Sequence, residues 1–224
     1  MSTTPTYASQ RAELQRSMAE QAPAELLEGF AAAARRLAAV DFANRAPKVG
    51  DRAPGFTLPD QAGAEVALAS LLRRGPVVLV FYRGAWCPYC NLQLRTFQTH
   101  LGELAKHGAE LVAISPQTPD HSLSMAEKNQ LGFAVLSDIG AQVIDRYGLR
   151  YEVEAETRAL LTAAGNDVGA YNGDGGWVLP AVATFVLDAR GVVRYANVSG
   201  DWTQRAEPTE VLDVLVEMAI PDAA

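Results

Sequence analysis

The chain has 224 residues, of which 49% are hydrophobic and 20% charged, and it carries a formal net charge of −7. This composition is typical of one globular domain with extensions, and the acidic balance argues against a nucleic-acid partner or an anionic membrane surface. Because no apolar stretch approaches the roughly 18 residues of a membrane span and the first ten residues are polar, we expect a cytoplasmic protein.

Residues 1–46 predict an N-terminal helical extension. Its apolar residues recur at intervals of four and three, the spacing of one helix face, and are Leu26, Phe30, Ala33, Leu37 and Val40. Pro23 separates this helix from a more polar one upstream, and Pro47 closes the segment. Two roles remain open for the extension: a helix pair that covers a sheet face, or an arm for oligomerisation.

Residues 47–220 predict an α/β domain, because short β-branched or aromatic runs alternate with helical patterns. The predicted strands are 77–82, 111–114, 133–136, 184–187 and 192–198, the last two forming an antiparallel hairpin. The predicted helices are 88–107, 122–130, 141–147 and 207–218. Segment 77–82 is apolar throughout, which is typical of a central strand buried on both faces.

An insertion at about 150–178 fits neither periodicity well. It contains a helical piece at 154–164, followed by the glycine-rich segment 172–176, which predicts a mobile loop. Long irregular loops in compact domains are usually functional or disordered, so both a substrate-side role and a plain surface insertion remain open.

The chemistry is indicated by Cys87 and Cys90, the two cysteines of the sequence, which lie directly after the central strand. A spacing of three places both sulfurs on one helical turn, close enough to bond. Pro88 is favoured at the first helical position, so Cys87 falls at the helix N-cap, where the helix dipole should lower its pKa. Cys90 begins the apolar stripe that continues with Leu94, so we expect Cys90 to be the more enclosed sulfur and Cys87 the more accessible one.

Two other interpretations of the pair carry less weight. The cysteines could be buried and inert, although a C-x-x-C between a strand and a helix is a strong redox signal. A zinc site would need two more ligands, and His100, His107 and His121 show no ligand-like spacing. We therefore expect neither a metal nor a cofactor.

Beyond the cysteines, the sequence resembles the thioredoxin-fold superfamily and, within it, the peroxiredoxin-like alkyl hydroperoxide reductase and thiol-specific antioxidant family. The resemblance spans about 49–218 and rests on four segments, which are VGDRAP at 49–54 with FTL at 56–58, VLVFYRG at 78–84, LSD at 136–138, and ATFVLD at 183–188 ahead of Gly191. It implies a central mixed sheet flanked by helices, with the reaction at the start of the cysteine-bearing helix.

The sequence departs from the peroxiredoxin pattern at the site itself. Members of the family usually carry Phe-Tyr-Pro, three residues, Thr, two residues and the attacking Cys; here the Pro becomes Arg83, the Thr becomes Cys87 and the attacking residue is Cys90. The resemblance to thioredoxins instead makes Cys87 the nucleophile and Cys90 the resolving residue. The two alignments assign opposite roles, and both remain open.

The family's peroxide-polarising Arg, or the cis-proline of thioredoxins, corresponds to Val182, with Pro180 two residues earlier. Arg83 and Arg205 are the candidate substitutes, since a guanidinium can hold a thiolate charged and bind peroxide oxygens. For Arg205 the alternative is a solvated surface residue. Trp86 and Tyr89 are expected to pack over the sulfurs, or to recognise a partner.

The sequence thus predicts a thiol-based antioxidant enzyme, a thiol-dependent peroxidase that cycles Cys87 and Cys90 between dithiol and disulfide. Its expected partners are a hydroperoxide or protein disulfide and a thioredoxin-like or small-thiol reductant, with a homo-oligomer left open. The alternatives are a thioredoxin-like disulfide oxidoreductase, a redox-sensing module that signals through the 150–178 segment, and an iron–sulfur site shared by two chains.

Overall fold

The computed structural model describes residues 5–220. The strands are β1 Thr57–Pro59, β2 Glu65–Ala67, β3 Val77–Phe81, β4 Glu110–Ser115, β5 Ala134–Ser137, β6 Arg150–Glu152, β7 Val178–Pro180, β8 Val182–Leu187 and β9 Val193–Ser199. The helices are α1 Tyr7–Gln21, α2 Ala24–Ala38, α3 Leu68–Leu72, α4 Pro88–Thr99, α5 Leu101–Lys106, α6 Pro119–Lys128, α7 Gln142–Arg146, α8 Ala155–Ala163, α9 Val168–Asn172 and α10 Pro208–Ala219.

Five strands form the central mixed sheet in the order β5-β4-β3-β8-β9. β3 pairs in parallel with β4 and antiparallel with β8, so Val80 lies between Ala113 and Thr184. All five residues of β3 are buried, and successive residues point to opposite faces, where they enter two separate apolar clusters. The predicted α/β fold and its central strand are confirmed.

The two N-terminal helices form where the sequence predicts them, and Pro23 separates them. Thr6 caps α1 by accepting a hydrogen bond from the Ser9 N–H at 3.1 Å. α1 contacts α4, and α2 contacts α8. The extension therefore covers the helix that carries the cysteines.

The predicted helix 88–107 is two helices, because the backbone at His100 leaves helical geometry with φ −105° and ψ 3°. β1, β2 and α3 were missing from the sequence prediction. With three residues each, these two strands are too short for an alternating pattern to be recognised.

The insertion contains more regular structure than the sequence predicts. Its helical piece is α8, and its two ends, β6 and β7, pair antiparallel. The glycine-rich segment 172–176 forms a turn in which the Asn172 side chain donates to the carbonyl oxygens of Gly176 and Val178 at 3.1 and 2.9 Å. Side-chain hydrogen bonds therefore hold this segment.

None of the helices within residues 5–220 combines the length and apolar character needed to cross a bilayer.

Candidate active site

Both cysteine side chains lie at the point where the central strand passes into α4. Cys87 is the N-cap residue of α4, Pro88 is its first residue, and Cys90 lies in its first turn. Both thiols are free, with exposed fractions of 1% for Cys87 and 0% for Cys90. Both thiols are buried, because residues of α1 and α2 lie over the site, and of the two only Cys87 lines the neighbouring cavity, as expected of the more accessible sulfur.

The Cys90 sulfur is the charged one of the pair. Burial raises the pKa of Cys90, but four other effects outweigh it: a hydrogen bond with the Cys87 thiol, the positive charge of Arg205, the backbone N–H of Arg83, which lies 3.4 Å from Cys90 Sγ, and the positive charge of Arg83. Together they lower the pKa of Cys90 to about 5. Cys90 is therefore a thiolate at neutral pH.

Cys87 behaves in the opposite way. Burial raises its pKa well above the ordinary thiol value, and the hydrogen bond to Cys90 and the negative charge there raise it further. The lowered Cys87 pKa expected from its N-cap position is therefore wrong, since burial and the neighbouring thiolate outweigh the helix end. Cys87 therefore stays protonated beside Cys90.

Arg205 comes from the segment before α10 and contacts Cys90. Its Nη2 lies 3.5 Å from Cys90 Sγ, and its Nε donates to Gln93 Oε1 at 2.8 Å. Its Nη1 donates to the carbonyl oxygens of Trp202 and Gln204. With 9% exposure, Arg205 is not the solvated surface residue of the alternative interpretation.

Gln93 is a functional candidate that the sequence analysis missed. It is 1% exposed, accepts from Arg205, and donates through Nε2 to Thr184 Oγ1 at 3.3 Å. One signal could have indicated it: Gln93 is a polar residue three positions after Cys90, on the same buried stripe of α4.

Arg83 lies between two indole rings. Its guanidinium carbon is 4.8 Å from the Trp86 ring centroid and 4.3 Å from that of Trp202, a residue that the sequence analysis did not identify. Arg83 Nε and Nη2 are buried and have no hydrogen-bond partner within residues 5–220. The two rings hold the cation near the cysteines, and the Tyr151 hydroxyl, which is also buried without a hydrogen-bond partner in that range, lies close enough to Arg83 to raise the pKa of the guanidinium despite its burial.

Polar side chains hold the loop between β3 and α4. Gln117 accepts from the Ala85 N–H and donates to the Tyr82 hydroxyl, both at 2.9 Å. Asn91 donates to the carbonyl oxygens of Ala85 and Cys87 at 2.7 and 2.9 Å. The sequence does not indicate the Gln117 contacts, because Gln117 lies more than 30 positions from both partners; Asn91 is local to its partners, but no pattern marks it.

Val182 and Pro180 add no polar group to the site. Val182 is 2% exposed and packs in the same apolar cluster as both cysteines. Pro180 pairs with Arg150 in the small β6-β7 sheet, and no peptide bond within the described residues is cis. Neither residue takes the place of the cis-proline of thioredoxins.

A cavity of about 470 Å³ reaches Cys87 from the side of the N-terminal helices. Cys87 and Tyr89 line it, together with apolar residues of α1 and α2 such as Met18, Leu27 and Phe30. Cys90 does not belong to its lining. Across residues 5–220, no group of three His, Cys, Asp or Glu side chains could hold a metal ion.

The chain is similar to a group of known proteins. Residues 49–196 match the model of the AhpC/TSA family, so α1 and α2 lie outside the match. Peroxiredoxin Bcp of Escherichia coli is 40% identical over 103 residues, which are 46% of this chain and 65% of that protein. The chloroplastic peroxiredoxin Q of Triticum aestivum is 31% identical over 175 residues, 78% of this chain and 70% of that protein.

Among solved structures, the peroxidoxin BcpB of Mycobacterium tuberculosis superposes with a TM-score of 0.62 at 26% identity. The superposition covers 78% of this chain and 99% of that one.

Proposed function

This chain belongs to the AhpC/TSA family, and we propose that it is a thiol-dependent peroxidase in which Cys90 attacks a hydroperoxide and Cys87 resolves the product. One observation carries the assignment of roles: Arg205 Nη2 and the Arg83 backbone N–H lie 3.5 and 3.4 Å from Cys90 Sγ, and these contacts help to lower the pKa of Cys90, which supports Cys90 as the nucleophile. The peroxiredoxin names of the relatives support the reaction class.

In the first step the Cys90 thiolate attacks one peroxide oxygen. The S–O bond forms as the O–O bond breaks, and the leaving oxygen takes up a proton and departs as water or an alcohol. The unpaired Nε and Nη2 groups of Arg83 are the donors we assign to the peroxide oxygens. Arg205, held by Gln93, keeps Cys90 ionised before the attack.

In the second step the Cys87 thiol attacks the sulfur of the Cys90 sulfenic acid. The S–S bond forms, the S–O bond breaks, and hydroxide leaves with the thiol proton as water. Cys87 stands at the position of the family's Thr, so one residue both donates a hydrogen bond to the thiolate and resolves the product. An external thiol then reduces the disulfide.

The remaining site residues act through packing. Trp86 holds Arg83, Pro88 starts α4, and Tyr89 lines the cavity next to Cys87. Val182 supplies an apolar wall in the cluster that contains both cysteines.

We further propose residues 1–46 as a helical extension of a domain at 47–220 with an insertion at 150–178, and the cytoplasm as its setting. Reducing conditions there would keep the cysteine pair cycling. Both cysteines of the sequence belong to the site, which fits such a compartment. The comparisons do not favour a pure disulfide oxidoreductase or a redox-sensing module.

The test is a single-turnover reaction of the reduced protein with stoichiometric hydrogen peroxide, followed by tryptophan fluorescence and free-thiol count in wild type, Cys87→Ser and Cys90→Ser. We expect fast oxidation in wild type and Cys87→Ser, and its loss in Cys90→Ser. Fast oxidation in Cys90→Ser alone would reverse the roles, and a wild-type rate no higher than that of a free small thiol would reject the peroxidase.

A further inference from the structure

We propose that the reductant of the Cys87–Cys90 disulfide is a small thiol with an uncharged, apolar body, bound in the cavity beneath α1 and α2. We call this cavity the Cys87 pocket. The inference rests on the proposed cysteine cycle. The sequence leaves two kinds of reductant open, a thioredoxin-like protein and a small thiol, and the pocket favours the small thiol.

Access to Cys87 favours a small reductant. Cys87 lines the pocket, whereas Cys90 does not, so a molecule in the pocket meets the resolving sulfur. Only 1% of Cys87 is exposed, because α1 and α2 close over it. A protein thiol must bring its own backbone close to the sulfur that it attacks. The volume of about 470 Å³ instead suits a small molecule.

The lining of the Cys87 pocket favours an apolar reductant. The walls are mostly apolar, with Met18, Leu27 and Phe30 from the two N-terminal helices. The one charged residue among the lining residues is Arg83, whose guanidinium is stacked between Trp86 and Trp202. Arg83 could pair with one anionic group, but a peptide thiol with several charges would leave its other charges without partners there, whereas an alkyl group would be buried favourably.

The chemistry at the two sulfurs is the third argument. A reductant thiolate attacks Cys87 Sγ. A bond forms between the reductant sulfur and Cys87 Sγ, the Cys87–Cys90 bond breaks, and Cys90 leaves as a thiolate. Exchange is faster when the leaving thiol has the lower pKa, and the low pKa of Cys90 makes it the better leaving group. A second reductant thiolate then attacks the reductant sulfur of the mixed disulfide, releasing Cys87, which takes up a proton, and the oxidised dimer of the reductant.

The test starts from protein oxidised with diamide, so it does not require peroxidase activity. Reduction by ethanethiol, 1-butanethiol and 1-hexanethiol is followed by tryptophan fluorescence, and the Cys87 mixed disulfide is identified by mass spectrometry. Each methylene buried in the pocket adds up to about fourfold to the rate. We expect at least a tenfold gain from ethanethiol to 1-hexanethiol, and reduction by Escherichia coli thioredoxin no faster than by ethanethiol at equal thiol concentration.

Two substitutions on α2 sharpen the test. Ala31 is exposed yet lines the pocket, so Ala31→Phe fills the space and should reduce the chain-length gain below threefold while changing the ethanethiol rate less than twofold. Ala24 is exposed on the same helix outside the lining, and Ala24→Phe should keep the full gain.

Rapid reduction by thioredoxin without any chain-length dependence would overturn the proposal. So would a chain-length dependence seen only in oxidation by alkyl hydroperoxides, since the pocket would then serve the oxidant. Failure of diamide to form the disulfide would reject the cysteine cycle as well. If the protein does not react with peroxide but is still reduced faster by longer alkyl thiols, only the proposed peroxidase activity is rejected.

Discussion

At Cys90, a negative charge is kept on a buried sulfur. Removing a thiolate from water is unfavourable, and here the Cys87 thiol, the Arg205 guanidinium and a backbone N–H offset that cost. The same contacts leave Cys87 protonated. One sulfur is thus ready to attack and the other ready to resolve, although they lie on one helical turn.

The rate of Cys90 oxidation should follow the titration of this thiol. Since the pKa of Cys90 is lowered to about 5, the reactive thiolate forms as pH rises through 5. We expect a peroxide reaction that is half-maximal near pH 5 and flat between pH 7 and 8, measured by stopped-flow fluorescence. A midpoint close to the ordinary thiol value of about 8.5 would contradict this assignment.

Removing the charge of Arg205 should shift that midpoint upward. An opposite charge at this range changes a pKa by about one to three units, so Arg205→Met should slow oxidation at pH 6 by roughly tenfold. At pH 9 much of the rate should return, because the thiolate forms there without help. Arg95→Met, exposed on α4, is the control and should keep the wild-type midpoint. An unchanged midpoint in Arg205→Met would remove Arg205 from the site.

At the scale of the elements, the loop before α4 depends on a glycine. Gly84 has φ +156°, and a Cβ added there would lie 2.9 Å from Trp86 Cδ1 and closer still to Trp86 Nε1. Any side chain would push Trp86 away, and with it the ring that stacks on Arg83.

Gly84→Ala should therefore lower the free energy of unfolding by about 1–3 kcal/mol, the usual cost of overpacking a well-filled site. Urea denaturation measures this change. Gly102, inside α5, has nothing within 4 Å of an added Cβ, so Gly102→Ala should be neutral or stabilising. Equal effects of the two substitutions would show that the contact with Trp86 carries no strain.

The elements that the sequence predicts well are those with long, regular apolar patterns. β3 is apolar throughout and α10 carries one clear stripe, so each was identified within a residue or two. β1 and β6 have three residues each and form only because a partner strand lies beside them. Their hydrogen bonds depend on tertiary contacts that no local pattern contains.

In the candidate site, too, the sequence predicts the local features and misses those that depend on distant residues. The spacing of Cys87 and Cys90 is local, and it indicates a redox pair without any structure. The choice of nucleophile is not local, because Arg205 lies 115 positions from Cys90 along the chain. The N-cap position of Cys87 alone predicts a lowered pKa for Cys87, but the structure lowers the pKa of Cys90 instead, because burial and the distant Arg205 also act on the pair.

At the scale of the whole molecule, the N-terminal helices are tied to the segment that carries Arg205. The Tyr7 hydroxyl donates to the Thr203 carbonyl oxygen at 2.8 Å, and Arg11 donates to Gln204 Oε1 at 2.8 Å. Glu207 accepts the first N–H groups of α1, from Tyr7 and Ala8, at 2.8 and 2.7 Å. Residues 203–207 therefore both anchor α1, which lies over Cys87, and carry Arg205, which contacts Cys90.

Glu207 is the residue through which this coupling can be tested, because its side chain binds the start of α1 and does not cap its own helix, α10. A carboxylate at a helix N-terminus accepts charge-assisted hydrogen bonds, so Glu207→Ala should make undocking of α1 easier by roughly 2 kcal/mol. Cys87 would then be uncovered about 30 times more often.

We expect a bulky maleimide to label Cys87 about tenfold to thirtyfold faster in Glu207→Ala than in the parent, both on a Cys90→Ser background that leaves one thiol. Glu217→Ala, exposed on the same α10, is the matched control and should label at the parent rate. Urea unfolding of the domain should change little, because Glu207 belongs to neither the central sheet nor the two apolar clusters. Equal labelling in all three proteins would mean that the route to Cys87 opens without movement of α1. The Cys87 pocket would then already admit the larger reagent with both helices in place.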